Sequence, residues 1–127
     1  MSHKFNQVFS DSYVYSTVRI SSVDGAVGST TILASDPEEI FIYDQNEGGT
    51  GTFTYTLPLL ADVAVGRKYT FVHRGSDPLD TVDIVEDAGD GGVPIQTLLG
   101  SNGPTFNAIT FLNYGGGDWL SIYNQSF

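Results

Sequence analysis

Residues 72–80, Val-His-Arg-Gly-Ser-Asp-Pro-Leu-Asp, gather a histidine, a serine and two aspartates into one short stretch. A Ser-His-Asp relay needs those three groups: a hydroxyl to attack, an imidazole to take its proton, a carboxylate to orient the ring. The relay is defined by convergence in space, however, and the chain has no Gly-x-Ser-x-Gly elbow to present such a serine. His73 reads instead as the end of a strand, with 75–78 as a turn. Asp77, Asp80, Asp83, Glu86, Asp87 and Asp90 form a loose acidic run. A hard cation needs about six to eight oxygens around one point, and no calcium-loop spacing occurs here, so these acids read as solvated turn and strand-face residues. Trp119, behind Gly115-Gly116-Gly117-Asp118 and Tyr114, has the makings of a sugar-stacking platform. It also reads as the opening residue of a strand that packs inward. The glycine-rich stretches match neither phosphate-loop pattern. The expectation is a protein without enzymatic activity, cofactor or metal.

Bulk properties narrow the partners. The 127 residues suit one domain. Fifteen acidic residues against five basic ones (Lys4, Arg19, Arg67, Lys68, Arg74) give a formal net charge of −10. Nucleic-acid binding draws most of its affinity from cations that displace phosphate counterions, and anionic membranes ask for the same. Neither partner is expected. The absence of cysteine excludes disulfides and thiol catalysis. No apolar run approaches the ~20 residues that cross a bilayer. The opening MSHKFNQVFS lacks the apolar core of a secretory signal.

The elements that carry these residues repeat with period two. Tyr13 to Ile20, Thr30 to Ala34, Ile40 to Tyr43, Thr52 to Leu57, Lys68 to Arg74, Thr81 to Val85, Ala108 to Leu112 and Trp119 to Tyr123 read as strands. An edge segment over 93–100 carries Pro94, which cannot donate to a ladder. Turns rich in Gly, Asp and Asn separate them. Residues 61–65 have room for a single helical turn. The pattern predicts an all-β fold: one antiparallel β-sandwich or jelly-roll-like domain over 23–127, with an N-terminal arm over 1–22.

Several strands are apolar on both faces, notably Ile40-Phe41-Ile42-Tyr43, Ile109 to Leu112 and Trp119 to Tyr123. A strand with one face in water should alternate. Sixteen aromatic side chains add to the apolar load. One core absorbs one face of each strand, so the second faces are expected to meet other subunits. Phe41, Tyr43, Leu112 and Tyr123 are the candidate subunit-interface residues.

From residue 52 the pieces fall in a distinctive order: T-x-T-Y-T-L-P, V-x-V-G-x-x-Y-T-F-V, T-V-D-I, I-x-T-L-L-G, A-I-T-F-L and G-G-G-D-W-L-S-I. This set resembles a β-module common in tailed-bacteriophage virion proteins: head-decoration proteins, head fibres and tail fibres. Leu57, Pro58, Gly66, Tyr69, Phe71, Trp119 and Ile122 carry the resemblance as fold-defining positions. It implies a structural or adhesive role, often as a homotrimer, and supplies no catalytic residue. The chain has no heptad region, collagen-like repeat or shaft, which favours a capsid decoration (cement) protein over a fibre. Its expected partner is the major capsid protein and its expected place the capsid exterior. The arm, with Lys4, Phe5, Phe9, Tyr13, Tyr15 and Arg19, is expected to grip the shell. The alternative is a tail-fibre or receptor-binding module that recognises a host surface glycan.

Overall fold

The computed structural model describes residues 17–21, 28–44, 51–75, 79–100 and 107–126. The fold is all-β, and the described residues contain no α-helix. Nine strands form among the described residues: β1 (Thr17–Ser21), β2 (Gly28–Thr31), β3 (Glu38–Tyr43), β4 (Thr52–Thr56), β5 (Lys68–His73), β6 (Thr81–Val85), β7 (Pro94–Leu99), β8 (Asn107–Asn113) and β9 (Trp119–Ser126). They make two sheets. Sheet A has the order β1-β3-β5-β8-β9 and sheet B the order β2-β4-β6-β7.

Through β6 the chain alternates between the sheets, so each return to a sheet adds a strand in the same direction. The pairs β1–β3, β3–β5, β2–β4 and β4–β6 are therefore parallel. Only β6–β7, β5–β8 and β8–β9 are antiparallel. The expected antiparallel arrangement is thus corrected: both sheets are mixed. Short polar turns serve a corner between sheets as well as they serve a hairpin. Here the crossover that parallel pairing requires is a strand of the opposite sheet.

Alternation along β4 and β5 decides what goes inside. Phe53, Tyr55 and Leu57 from one sheet and Tyr69 and Phe71 from the other are buried, together with Phe41, Tyr43, Val82, Ile84, Leu98, Ile109 and Phe111. Rings meet across the gap: Phe41 lies 5.7 Å from Tyr55 and Tyr43 lies 5.2 Å from Phe53, centroid to centroid. Burying rings of this size supplies the main stabilisation, and edge-on or tilted pairs add about 0.5–1.5 kcal/mol each.

The corner between β4 and β5 is pinned at several points. The Leu57 amide donates to the Val85 carbonyl (2.9 Å) and Pro58 is buried behind it. A 3-10 turn over Leu60–Asp62 follows. Gly66 sits at φ +97°, a backbone conformation that side chains disfavour. Its amide donates to the Asn113 carbonyl (2.7 Å). The buried Asn113 side chain from the end of β8 donates to the Val63 carbonyl (2.8 Å) and accepts from the Gly115 amide (3.1 Å).

Candidate interaction surface

The residues first singled out for chemistry have structural work. His73 is fully buried at the end of β5. The Gly75 amide donates to its Nδ1 (2.9 Å), so the ring proton sits on Nε2, which faces the Asp80 carbonyl at 3.2 Å. Both ring nitrogens are engaged by backbone. Burial holds the imidazole below its ordinary pKa, against the pull of Asp80. The ring tucks edge-on against Tyr43 (5.1 Å). A neutral, enclosed ring with both nitrogens occupied has no lone pair to offer a nucleophile.

The described members of the acidic run disperse in the same way, and Asp80, expected in solvent, is fully buried; Asp77 lies outside the described residues. Asp80 Oδ1 accepts from the Gly51 amide (3.2 Å), and Asp90 Oδ2 from the Leu60 amide (2.8 Å). Asp87 accepts from the Gly89 amide (2.8 Å), and Asp83 from the Thr97 hydroxyl (2.6 Å). Each carboxylate fixes a turn or a strand pair. Among the described residues no group of His, Asp and Glu is arranged to hold a metal ion. A cavity of about 380 Å³ beside the β4–β5 corner is walled by Leu60, Ala61, Val63, Val65 and the glycines of the β8–β9 turn. Its polar members, Asp90 and Asn113, are the same groups that hold the corner together.

The expected site residues divide between interior and surface. Phe41 and Tyr43, expected at a subunit interface, are 0% exposed and lie in the core. This corrects the expectation. In a strand apolar on both sides the parity was open, and Ile40 and Ile42 are the residues that face out. Leu112 is half-buried, and its register opposite Lys68 puts it on the outer face of sheet A. Tyr123 lies within β9 opposite Thr110. Leu57, Pro58, Tyr69 and Phe71 are interior, and Trp119 packs edge-on against Tyr69 (5.7 Å). Ile122 instead stands outside, 46% exposed. Lys4, Phe5, Phe9, Tyr13 and Tyr15 lie outside the described residues.

Arg19, expected to reach a partner, is engaged within the chain. Its guanidinium bonds Glu38 Oε1 (3.0 Å from Nη2), lies 3.2 Å from Asp36 Oδ2, and sits over the Phe41 ring at 5.4 Å. Asp36 is held below the usual carboxylate range, first by the Leu33 amide that donates to it and then by Arg19. Arg67 spans the same region: Nη2 donates to the carbonyls of Asp36 (2.8 Å) and Glu38 (2.9 Å), with the guanidinium over the Tyr69 ring.

The outer surfaces of the two sheets differ sharply. Register places Val18, Ile20, Ile40, Ile42, Val72, Leu112 and Leu120 on the outside of sheet A. Ile122 lines a groove of about 260 Å³ on that face with Glu39, Ile40, Lys68, Thr70 and Thr110. Exposure rises toward the two edge strands: Val18 46% and Ile20 64% on β1, Leu120 43% and Ile122 46% on β9. Sheet B turns out Ser29, Thr31, Thr52, Thr54, Thr56, Thr81, Asp83 and Thr97, interrupted by Val85 and Leu99. Its hydroxyls pair across strands, Thr52 with Thr81 at 2.7 Å. An exposed aliphatic sheet face of this kind is a candidate contact surface. The excess of apolar residues was legible in the sequence. Ile40 and Leu120 belong to strands legible as apolar on both faces, but which of their residues turn outward was not, and Ile20 was not singled out.

Comparisons with protein-family models, with curated proteins and with solved structures find no match to this chain.

Proposed function

We propose that this protein is a structural virion component, a capsid decoration protein that binds the outside of a bacteriophage head as a homotrimer and stabilises it. The observation that carries the reading is the aliphatic outer face of sheet A. Covering an Ile or Leu side chain contributes about 1.5–3 kcal/mol when burial is complete, so four side chains left near half-exposed favour association. The ordered motif set from residue 52 onward agrees with this. So does the net charge of −10, which keeps copies apart except where a specific contact wins. In this reading the two sheets form a β-sandwich of the virion-module type; because Thr17–Ser21 of the expected 1–22 arm belong to sheet A as β1, the part of the arm that reaches the shell is the chain ahead of β1. Bridging several shell subunits raises the cost of releasing any one of them.

The test is co-sedimentation of the purified protein with undecorated phage heads, alongside a variant that lacks residues 2–12. The full chain should bind saturably and raise the temperature at which the heads release DNA. The truncated variant should stay folded and fail to bind. Absence of binding to heads, combined with saturable binding to a host-surface glycan, would replace this reading with the receptor-binding alternative.

A further inference from the structure

We infer that copies of this chain join head to tail, the outer edge of β9 in one copy adding to the outer edge of β1 in the next, so that their A sheets close into a ring. The inference rests on the oligomer within the proposed function and names the contact that makes it.

The four edge strands are not equivalent. An edge offers unpaired N–H and C=O groups, and proteins protect edges with short length, proline, charge or bulges. In sheet B, β2 has four residues including Gly28, and β7 opens with Pro94. In sheet A, β9 runs for eight residues, WLSIYNQS, without a charge, proline or glycine. Its one irregularity is a bulge opposite Thr110/Phe111. Among the described residues nothing pairs with the outer side of β9 or of β1. The charge on β1, Arg19, is turned inward and held by Glu38 and Asp36, so it does not project across the edge.

Three features select β9-to-β1 over a two-fold β9-to-β9 contact. First, the most exposed residues of the aliphatic face lie on both edges of the same sheet. Pairing β9 with β9 would leave Val18 and Ile20 without a neighbouring strand, whereas β9-to-β1 brings all four against one in every copy. Second, β1, β3 and β5 are parallel, β8 opposes them and β9 reverses again. The two edge strands of sheet A therefore run the same way. Rotation about an axis along the strands preserves that direction, so each junction continues the sheet as a parallel pair. Third, acidic copies approach with least repulsion where neither strand presents an acid, and neither β9 nor β1 contains one. A head-to-tail contact of this kind closes into a ring when its rotation permits.

The chain has no cysteine, so introduced cysteines report directly. Val18→Cys and Ile20→Cys on β1, and Leu120→Cys and Ile122→Cys on β9, would be made as single variants, as co-expressed β1/β9 pairs and as double variants, then oxidised. At least one β1/β9 pair should give a disulfide-linked dimer on a non-reducing gel, and the matching double variant a covalent trimer. Single variants alone should give none. Under reducing conditions all should keep the wild-type circular dichroism, since the positions face solvent within one chain. Linkage of any single β9 variant to itself, or no linkage in any pairing, would overturn the inference. Head binding by the wild-type chain is a separate measurement: a protein that binds heads yet shows no β1/β9 linkage loses only this contact.

Discussion

The outer faces of the two sheets are made from strands of similar length and equal twofold periodicity, yet they present opposite chemistries to water. Sheet B carries rows of threonine whose hydroxyls bond across neighbouring strands. Sheet A has one such threonine pair, Thr70 with Thr110, and Lys68 at its centre, but otherwise carries valine, isoleucine and leucine, most exposed at its two edges. Both are backed by the same aromatic core, so the difference owes nothing to holding the fold together. In the proposed reading one side of the molecule is finished in isolation and the other is completed by a neighbour.

The largest effect expected from that contrast is on association. Ile20→Lys with Leu120→Lys puts charges into the aliphatic edges of sheet A, where desolvating an unpaired ammonium costs several kcal/mol. Sedimentation should show a monomer at concentrations where the wild-type chain is assembled, with the same circular dichroism. If the variant assembles as the wild type does, the contrast between the sheets has no bearing on assembly.

Next is a comparison within β3. Phe41→Ala opens a cavity in the core and should cost about 3–5 kcal/mol in urea denaturation. Ile42→Ala, one residue along and facing out, should change the stability of the monomer by well under half as much. Equal losses would mean that Ile42 is as enclosed as Phe41.

A smaller effect is expected with pH. The folded pKa of His73 lies below its unfolded value, so the unfolded chain takes up the proton first. Stability should be fully present above about pH 6.5 and fall as the pH drops toward the folded pKa, by up to ~1.4 kcal/mol per pH unit. Urea midpoints between pH 7.5 and 5 would show this fall in the wild type and a flatter profile in His73→Gln. A wild-type profile as flat as the variant's would place water or a compensating charge at the ring. The smallest effect belongs to sheet B: Thr54→Lys should leave assembly unchanged and shift stability by about 0.5 kcal/mol or less.

Much of the architecture could be read before any coordinates. Thr52 to Leu57 and Lys68 to Arg74 alternate so cleanly that the residues sharing each face are legible in the sequence, and the structure shows which face is buried. Leu57-Pro58 and Gly66 marked the corner between them, and the eight or nine strands expected compare with nine among the described residues. Ile40 to Tyr43 was different: with large apolar residues at every position, alternation gave two faces and no way to choose between them. Asn113 was not singled out, and Asp90 read only as a solvated turn acid, because their partners, the Val63 carbonyl and the Leu60 amide, lie 50 and 30 residues away. Neither the spacing nor the type of such a residue betrays a backbone group contributed from so far along the chain.

Period-two alternation, turn chemistry and charge, all properties of neighbours along the chain, determined that this protein is built of short strands, is strongly acidic and has more apolar surface than one core consumes. Strand direction, the sheet each strand joins and the face that each doubly apolar strand shows to water were decided only in three dimensions. The same glycine- and aspartate-rich turn can close a hairpin or carry the chain to the opposite sheet. Only the packing of distant strands around one set of rings selects between them.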